Sequence, residues 1–170
     1  MKKTMLSACF VLFAGNALAA DGTIHFTGSI SDQTCTVDSN SQDLTVDLGK
    51  VAQSALNGSK GKRVAPTQFT IKVASCPATV TGASIKFDGN ANSDDTTLLA
   101  LDGDTGVATG VGIQIADKTG TVIPLHNASP NYTLVSGDNS FDFVARYVAS
   151  KDEVGTGTAN ATSEFTIVYK

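Results

Sequence analysis

Short runs in which apolar residues recur at every second position dominate this chain and limit what it can fold into. Ile24, Phe26, Gly28 and Ile30 form the first, within DGTIHFTGSIS, and Leu44, Val46 and Leu48 the next. Phe69, Ile71 and Val73 follow in TQFTIKV, then Ala83, Ile85 and Phe87, then Val111, Ile113 and Ile115. Phe141, Phe143, Ala145 and Tyr147 give a longer run, and Phe165, Ile167 and Tyr169 give the last. A period of two places alternate side chains on opposite faces, which is the signature of half-buried strands. Turn formers stand between the runs: Asn57-Gly58, Asp88-Gly89, Asp102-Gly103, Lys118-Thr119-Gly120 and Gly155-Thr156-Gly157. Strands at such spacing with such punctuation indicate an all-β sandwich. Only Gln53 to Asn57 reads as a single helical turn.

The first residues belong to no such pattern. Lys2 and Lys3, an apolar stretch from Met5 to Phe13, and Ala17-Leu18-Ala19 make a secretory signal peptide over residues 1–19. Cleavage is expected after Ala19 or Ala20, and no later run has the length of a transmembrane helix. The expectation is an exported chain that does not span a membrane. The whole chain carries 12 basic and 16 acidic residues. Losing Lys2 and Lys3 leaves 10 against 16, so the net charge moves from −4 to −6. An acidic surface without a basic run argues against nucleic acid and anionic membranes as partners.

Export also bears on the cysteines. Cys9 leaves with the signal peptide, and Cys35 and Cys76 remain as an even pair in an oxidising compartment. A disulfide is the expected state. Closing a loop of about 41 residues stabilises a fold by roughly 4 kcal/mol in the chain-entropy model. The spacing suits neither a CxxC redox pair nor zinc, so no metal or cofactor is expected.

Catalytic chemistry finds little support. The two histidines, His25 and His126, adjoin no nucleophile motif, and both read as solvent-facing. DGNANS at 88–93 begins like a calcium loop with Asp88, Asn90 and Asn92, but Ser93 and Leu99 stand where glycine and glutamate are needed. LDGDTG at 101–106 reads as a turn rather than a metal site. The chain is not expected to be an enzyme.

Both ends read as strands. The last run ends at Lys170, the final residue given, with no further strand after it. In this context GTIHFTGSISDQTCTVD, LTVDLGKV, VGIQIADKTG, FDFVARYVAS and ATSEFTIVYK, with its penultimate Tyr169, acquire a family likeness. In this order, with Cys35 and Cys76 in place, they resemble a chaperone–usher fimbrial subunit of the type 1 major pilin group.

The resemblance implies an immunoglobulin-like sandwich that lacks its final strand and is completed in trans by donor-strand exchange. It divides the chain into signal peptide 1–19, donor extension 20–32 and pilin domain 33–170. Ile24, Phe26, Gly28 and Ile30 become the groove-filling face of the extension. Phe165, Ile167 and Tyr169 become the groove wall and the chaperone contact, with the Lys170 carboxylate held by basic residues of the chaperone. Cys35 and Cys76 pin the start of the domain. The implied partners are neighbouring subunits, a periplasmic chaperone and an outer-membrane usher, and the implied destination is the bacterial surface. The expected function is that of a structural rod subunit supporting adhesion. The alternative is a minor, adaptor or carbohydrate-binding tip subunit of the same family, although the chain has no tryptophan and only three tyrosines to offer a sugar.

Overall fold

The computed structural model describes residues 24–28, 30, 34–103 and 105–170. The chain divides into two units, residues 1–30 and residues 31–170. The described residues of the first unit are free of regular secondary structure, and their large side chains are exposed. The signal-peptide residues 1–19 lie outside the described residues.

The second unit is all-β with two single-turn helices. In chain order come β1 (Thr36–Val37), α1 (Ser39–Gln42), α2 (Gln53–Leu56), β2 (Arg63–Cys76), β3 (Gly82–Asp88) and β4 (Val111–Asp117). Then follow β5 (Val122–Ile123), β6 (Tyr132–Thr133), β7 (Gly137–Ala149) and β8 (Glu164–Tyr169). One sheet has the order β1-β2-β7-β4-β5, the other β6-β3-β8. Every ladder is antiparallel.

The alternating runs explain this arrangement. Register pairs Phe69 with Phe143 and Ile71 with Phe141 across β2 and β7, which puts their apolar faces on the same side. Phe143 lies at the centre of the core, 5.4 Å from Phe69 and 5.1 Å from Phe87 between ring centroids. Tyr132 of β6 reaches the same cluster, 6.1 Å from Phe143. Such offset and edge-on contacts stabilise beyond their buried area. The two sheets therefore close on one aromatic centre.

Two features depart from simple alternation. β2 loses register with β7 between Val64 and Thr67 and again between Val73 and Cys76. Ala65 and Ser75, at φ 52° and 55°, are the left-handed residues that make these bulges. Gly110, at φ +68°, is fixed by space as well, because a Cβ there would stand 2.3 Å from the Glu153 carbonyl oxygen.

The turns are built by side chains. Asp117 Oδ1 accepts from Thr119 N, Thr119 Oγ1 and Thr121 N at 2.8, 2.6 and 2.9 Å. Burial alone would push this carboxyl upward, but those hydrogen bonds outweigh it and hold it below the ordinary value. Asp38 caps α1 by accepting from Asn40 N at 2.9 Å, a one-turn helix with no periodic signal to announce it. Asn92, from the calcium-like stretch, is buried and structural. Its Nδ2 donates to Val111 O, and its Oδ1 accepts from Asp94 N and Asp95 N. No cluster of three or more potential metal ligands occurs among the described residues.

Cys35 and Cys76 form a disulfide across 41 positions. Cys35 lies just before β1 and Cys76 ends β2, so the bridge fastens the start of the domain to its longest strand. Cys76→Ser is expected to destabilise the domain by about 2–5 kcal/mol. The yield of soluble folded protein should fall sharply on expression, and an unchanged yield would refute the expectation.

Candidate functional site

One side of the sandwich is unfinished. β8 pairs with β3 in continuous register from Ala83↔Tyr169 to Asp88↔Glu164. Among the described residues no strand pairs with the other side of β8. Its outward N–H and C=O groups therefore form an open edge, and such an edge is a template for another strand. The core-facing side chains tell the same story. On β3, Ala83, Ile85 and Phe87 are at most 3% exposed, whereas their partners Tyr169, Ile167 and Phe165 are only half-buried. They pack against the core and still lack cover.

A further run of half-buried apolar residues precedes β2. Residues 44–52 form no helix or strand, although Leu44, Val46 and Leu48 have the alternation of a strand. The reason is a missing neighbour. β1 occupies the edge of β2 only opposite Val73 and Ala74. Beyond it, no backbone-to-backbone hydrogen bond is made by residues 44–51 among the described residues. The nearest link is a long contact of 3.4 Å from Thr67 Oγ1 to the Asp47 carbonyl. Val46, Leu48 and Val51 are half-buried and pack on the core, while Leu44 is exposed. Phe69, on the same β2, is half-buried within the aromatic cluster, as is Tyr132.

The closed end of this region is anchored. Lys170 N donates to Gly82 O at 2.8 Å, and Lys170 O accepts from Thr81 N and Gly82 N at 3.0 and 3.2 Å. Tyr169 Oη makes a long hydrogen bond of 3.4 Å to the Cys35 carbonyl, and burial raises its pKa. β8 is thus tied to the disulfide end of the first sheet.

The opening stretch presents the complementary chemistry. Ile24, Phe26 and Ile30 are 78%, 91% and 104% exposed. No atom outside Gly28 and its chain neighbours would come within 4 Å of a Cβ there. Three large apolar side chains in water, at alternate positions, are a surface without a partner. His25 is exposed, as the sequence suggests.

His126 is not simply solvent-facing. Its Nδ1 lies 2.9 Å from Asp88 Oδ1, and Lys86 Nζ is 2.9 Å from Asp88 Oδ2. Hydrogen bonds from His126 and then Lys86 hold the Asp88 carboxyl below its ordinary value. A lowered carboxyl contributes stability above its unfolded pKa of about 4 and loses it as pH falls through the folded value. Asp88→Asn should therefore flatten the acid limb of the thermal-midpoint profile below about pH 4. An unaltered acid limb would remove Asp88 from the pH response.

Comparison with known proteins decides what kind of chain this is. Residues 24–170 match the model of a family described as fimbrial protein. The chain belongs to the fimbrial protein family. The type-1 fimbrial protein subunit of Serratia marcescens is 39% identical over 100% of both chains. The probable major fimbrial subunit LpfA of Escherichia coli O157:H7 is 33% identical over 100% of this chain and 98% of that one. Among solved structures, a type I fimbria protein of Burkholderia pseudomallei superposes with a TM-score of 0.63 at 37% identity, covering 85% of this chain and 94% of the other. The two sheets are those of the immunoglobulin-like chaperone–usher pilins, and this is a fimbrial subunit of that class, a structural protein rather than an enzyme. Membership places it in a pilus at the cell surface. No helix among the described residues is long and apolar enough to cross a membrane.

Proposed function

We propose that this subunit polymerises by donor-strand exchange as a structural component of a fimbrial rod. The observation that carries the reading is the pairing of two deficits. β8 has an open edge and half-covered Phe165, Ile167 and Tyr169, while Ile24, Phe26 and Ile30 stand exposed at the same period. An added strand gains main-chain hydrogen bonds from an edge and fills side-chain pockets at alternate positions. At about 1.5–3 kcal/mol for each fully buried large apolar side chain, the three residues contribute roughly 4–9 kcal/mol before ordering of the segment is subtracted. Gly28 suits a shallow stretch of the groove, since glycine in a strand marks close approach of another surface.

On this reading residues 1–19 are the leader, 20–32 the donor extension and 33–170 the receiving domain. Before assembly a periplasmic chaperone supplies the strand, gripping β8 and the carboxylate of Lys170. At an outer-membrane usher the extension of the next subunit replaces it. A rod role is favoured over a tip or adaptor role by likeness to a relative named as a major subunit. Electron microscopy of cells expressing the chain with a matched chaperone and usher tests this. Label along long filaments is expected, and label confined to filament tips would replace the rod reading with the tip reading.

A further inference from the structure

β8 with the residue after it, EFTIVYK at 164–170, reads alike in both directions by chemical type. Glu164 and Lys170 stand at the two ends with opposite charge. Phe165 and Tyr169 are the aromatic pair inside them, Thr166 and Val168 are both β-branched, and Ile167 is the centre. Phe165, Ile167 and Tyr169 are half-buried on the core side, while Glu164, Thr166, Val168 and Lys170 are exposed on the other. Neither Glu164 nor Lys170 makes an ion pair among the described residues.

The backbone has the same symmetry. Gly82 and Lys170 exchange both of their N–H to C=O bonds. In an antiparallel ladder such doubly bonded pairs alternate with unbonded ones, so the N–H and C=O groups of Glu164, Thr166, Val168 and Lys170 turn toward β3. Those of Phe165, Ile167 and Tyr169 turn to the open edge. A second β8 laid antiparallel on that edge, Ile167 opposite Ile167, bonds every one of these outward groups. Phe165 then faces Tyr169, Thr166 faces Val168, and Glu164 of each copy faces Lys170 of the other. Sliding the strands by one residue turns the core-facing side chains outward. Sliding by two leaves both charges unmatched.

We propose that β8 pairs in this register with β8 of a second copy, about a two-fold axis at Ile167, and that the closed pair holds subunits out of the filament. The inference rests on the open edge of the reading above, not on strand exchange itself. The three-stranded sheets of the two copies join into one, and a contact between like patches stops at two subunits. Opposite charges and aromatic pairs directly across a ladder favour it. The pair is weaker than an inserted extension, because Phe165, Ile167 and Tyr169 of the second copy are already half-buried in their own domain. Ile24, Phe26 and Ile30 come to the groove from water. An extension that reaches the groove therefore displaces the pair, which makes it a reversible store of subunits.

The test uses the exported chain carrying Phe26→Asp, purified without chaperone, so that its extension cannot fill a groove. Analytical ultracentrifugation should show monomers in equilibrium with dimers, and strand content by circular dichroism should rise in step with the dimer. Glu164→Lys or Lys170→Glu, each added alone, sets like charges opposite each other twice and should raise the dissociation constant roughly tenfold. The two reversals together restore opposite charges and should return it to the starting value. A Phe26→Asp protein that stays monomeric at every concentration, folded or not, would overturn the pairing. Dimers indifferent to the single reversals, or weakened by them and not rescued by the double, would overturn it too. Each of these results leaves donor-strand exchange standing, whereas long polymers from Phe26→Asp would sink the exchange.

Discussion

Phe26→Asp is expected to abolish filament growth while leaving the domain folded and able to receive a strand. Phe26 is 91% exposed in the subunit, so its own domain loses nothing when it changes. If the extension seats in a neighbour's groove as proposed, the change forfeits about 1.5–3 kcal/mol of apolar burial. It also carries a carboxylate toward Phe69, Ile167 and their half-covered neighbours, where the described residues offer it no cation. Even 3 kcal/mol lowers the equilibrium for one link by roughly a hundredfold. The penalty recurs at every link, so a polymer magnifies it. The measurement is the length distribution of surface filaments together with the amount of chaperone-bound subunit in the periplasm. Short or absent filaments with undiminished chaperone complex are expected. Long filaments from Phe26→Asp would refute the groove-filling role.

Much of the fold was legible because a half-buried strand writes its period directly into the sequence. Phe69 to Val73, Ala83 to Phe87, Val111 to Ile115, Phe141 to Tyr147 and Phe165 to Tyr169 all lie in strands with those residues facing the core or packing on it. The two-residue strands β1, β5 and β6 escaped notice, since two residues carry no period. The run at Leu44 to Leu48 was misleading in an instructive way. Its alternation is genuine and its inward side chains pack on the core, but a strand also needs a bonded neighbour, and periodicity reports only the side chains. The same limit hid the half-buried residues outside β8. Val46, Leu48, Val51 and Phe69 are marked out only by partial burial, which depends on what the fold leaves uncovered. The Asp88–His126 pair spans 38 positions, so it had no local signature.

If the open edge of β8 receives the extension of another copy, donor and acceptor defects must be separable, and this gives the sharpest expectation. Ile167 lies half-buried on β8 opposite the fully buried Ile85. Ile167→Asp places a carboxylate on the groove wall and leaves Ile24, Phe26 and Ile30 intact. That copy can donate but not receive. A Phe26→Asp copy can receive but not donate. Alone, neither should polymerise. Mixed in equal amounts, they should form complexes of two subunits and no larger, with the extension of Ile167→Asp seated in the groove of Phe26→Asp. Size-exclusion chromatography with light scattering counts the subunits. A pairing that occurred equally well within either variant would mean that the contact is symmetric. A symmetric contact joins like patches and closes after two subunits. The one-way pairing expected here has no such stop in the wild-type chain, because each added copy presents a fresh groove or a fresh extension.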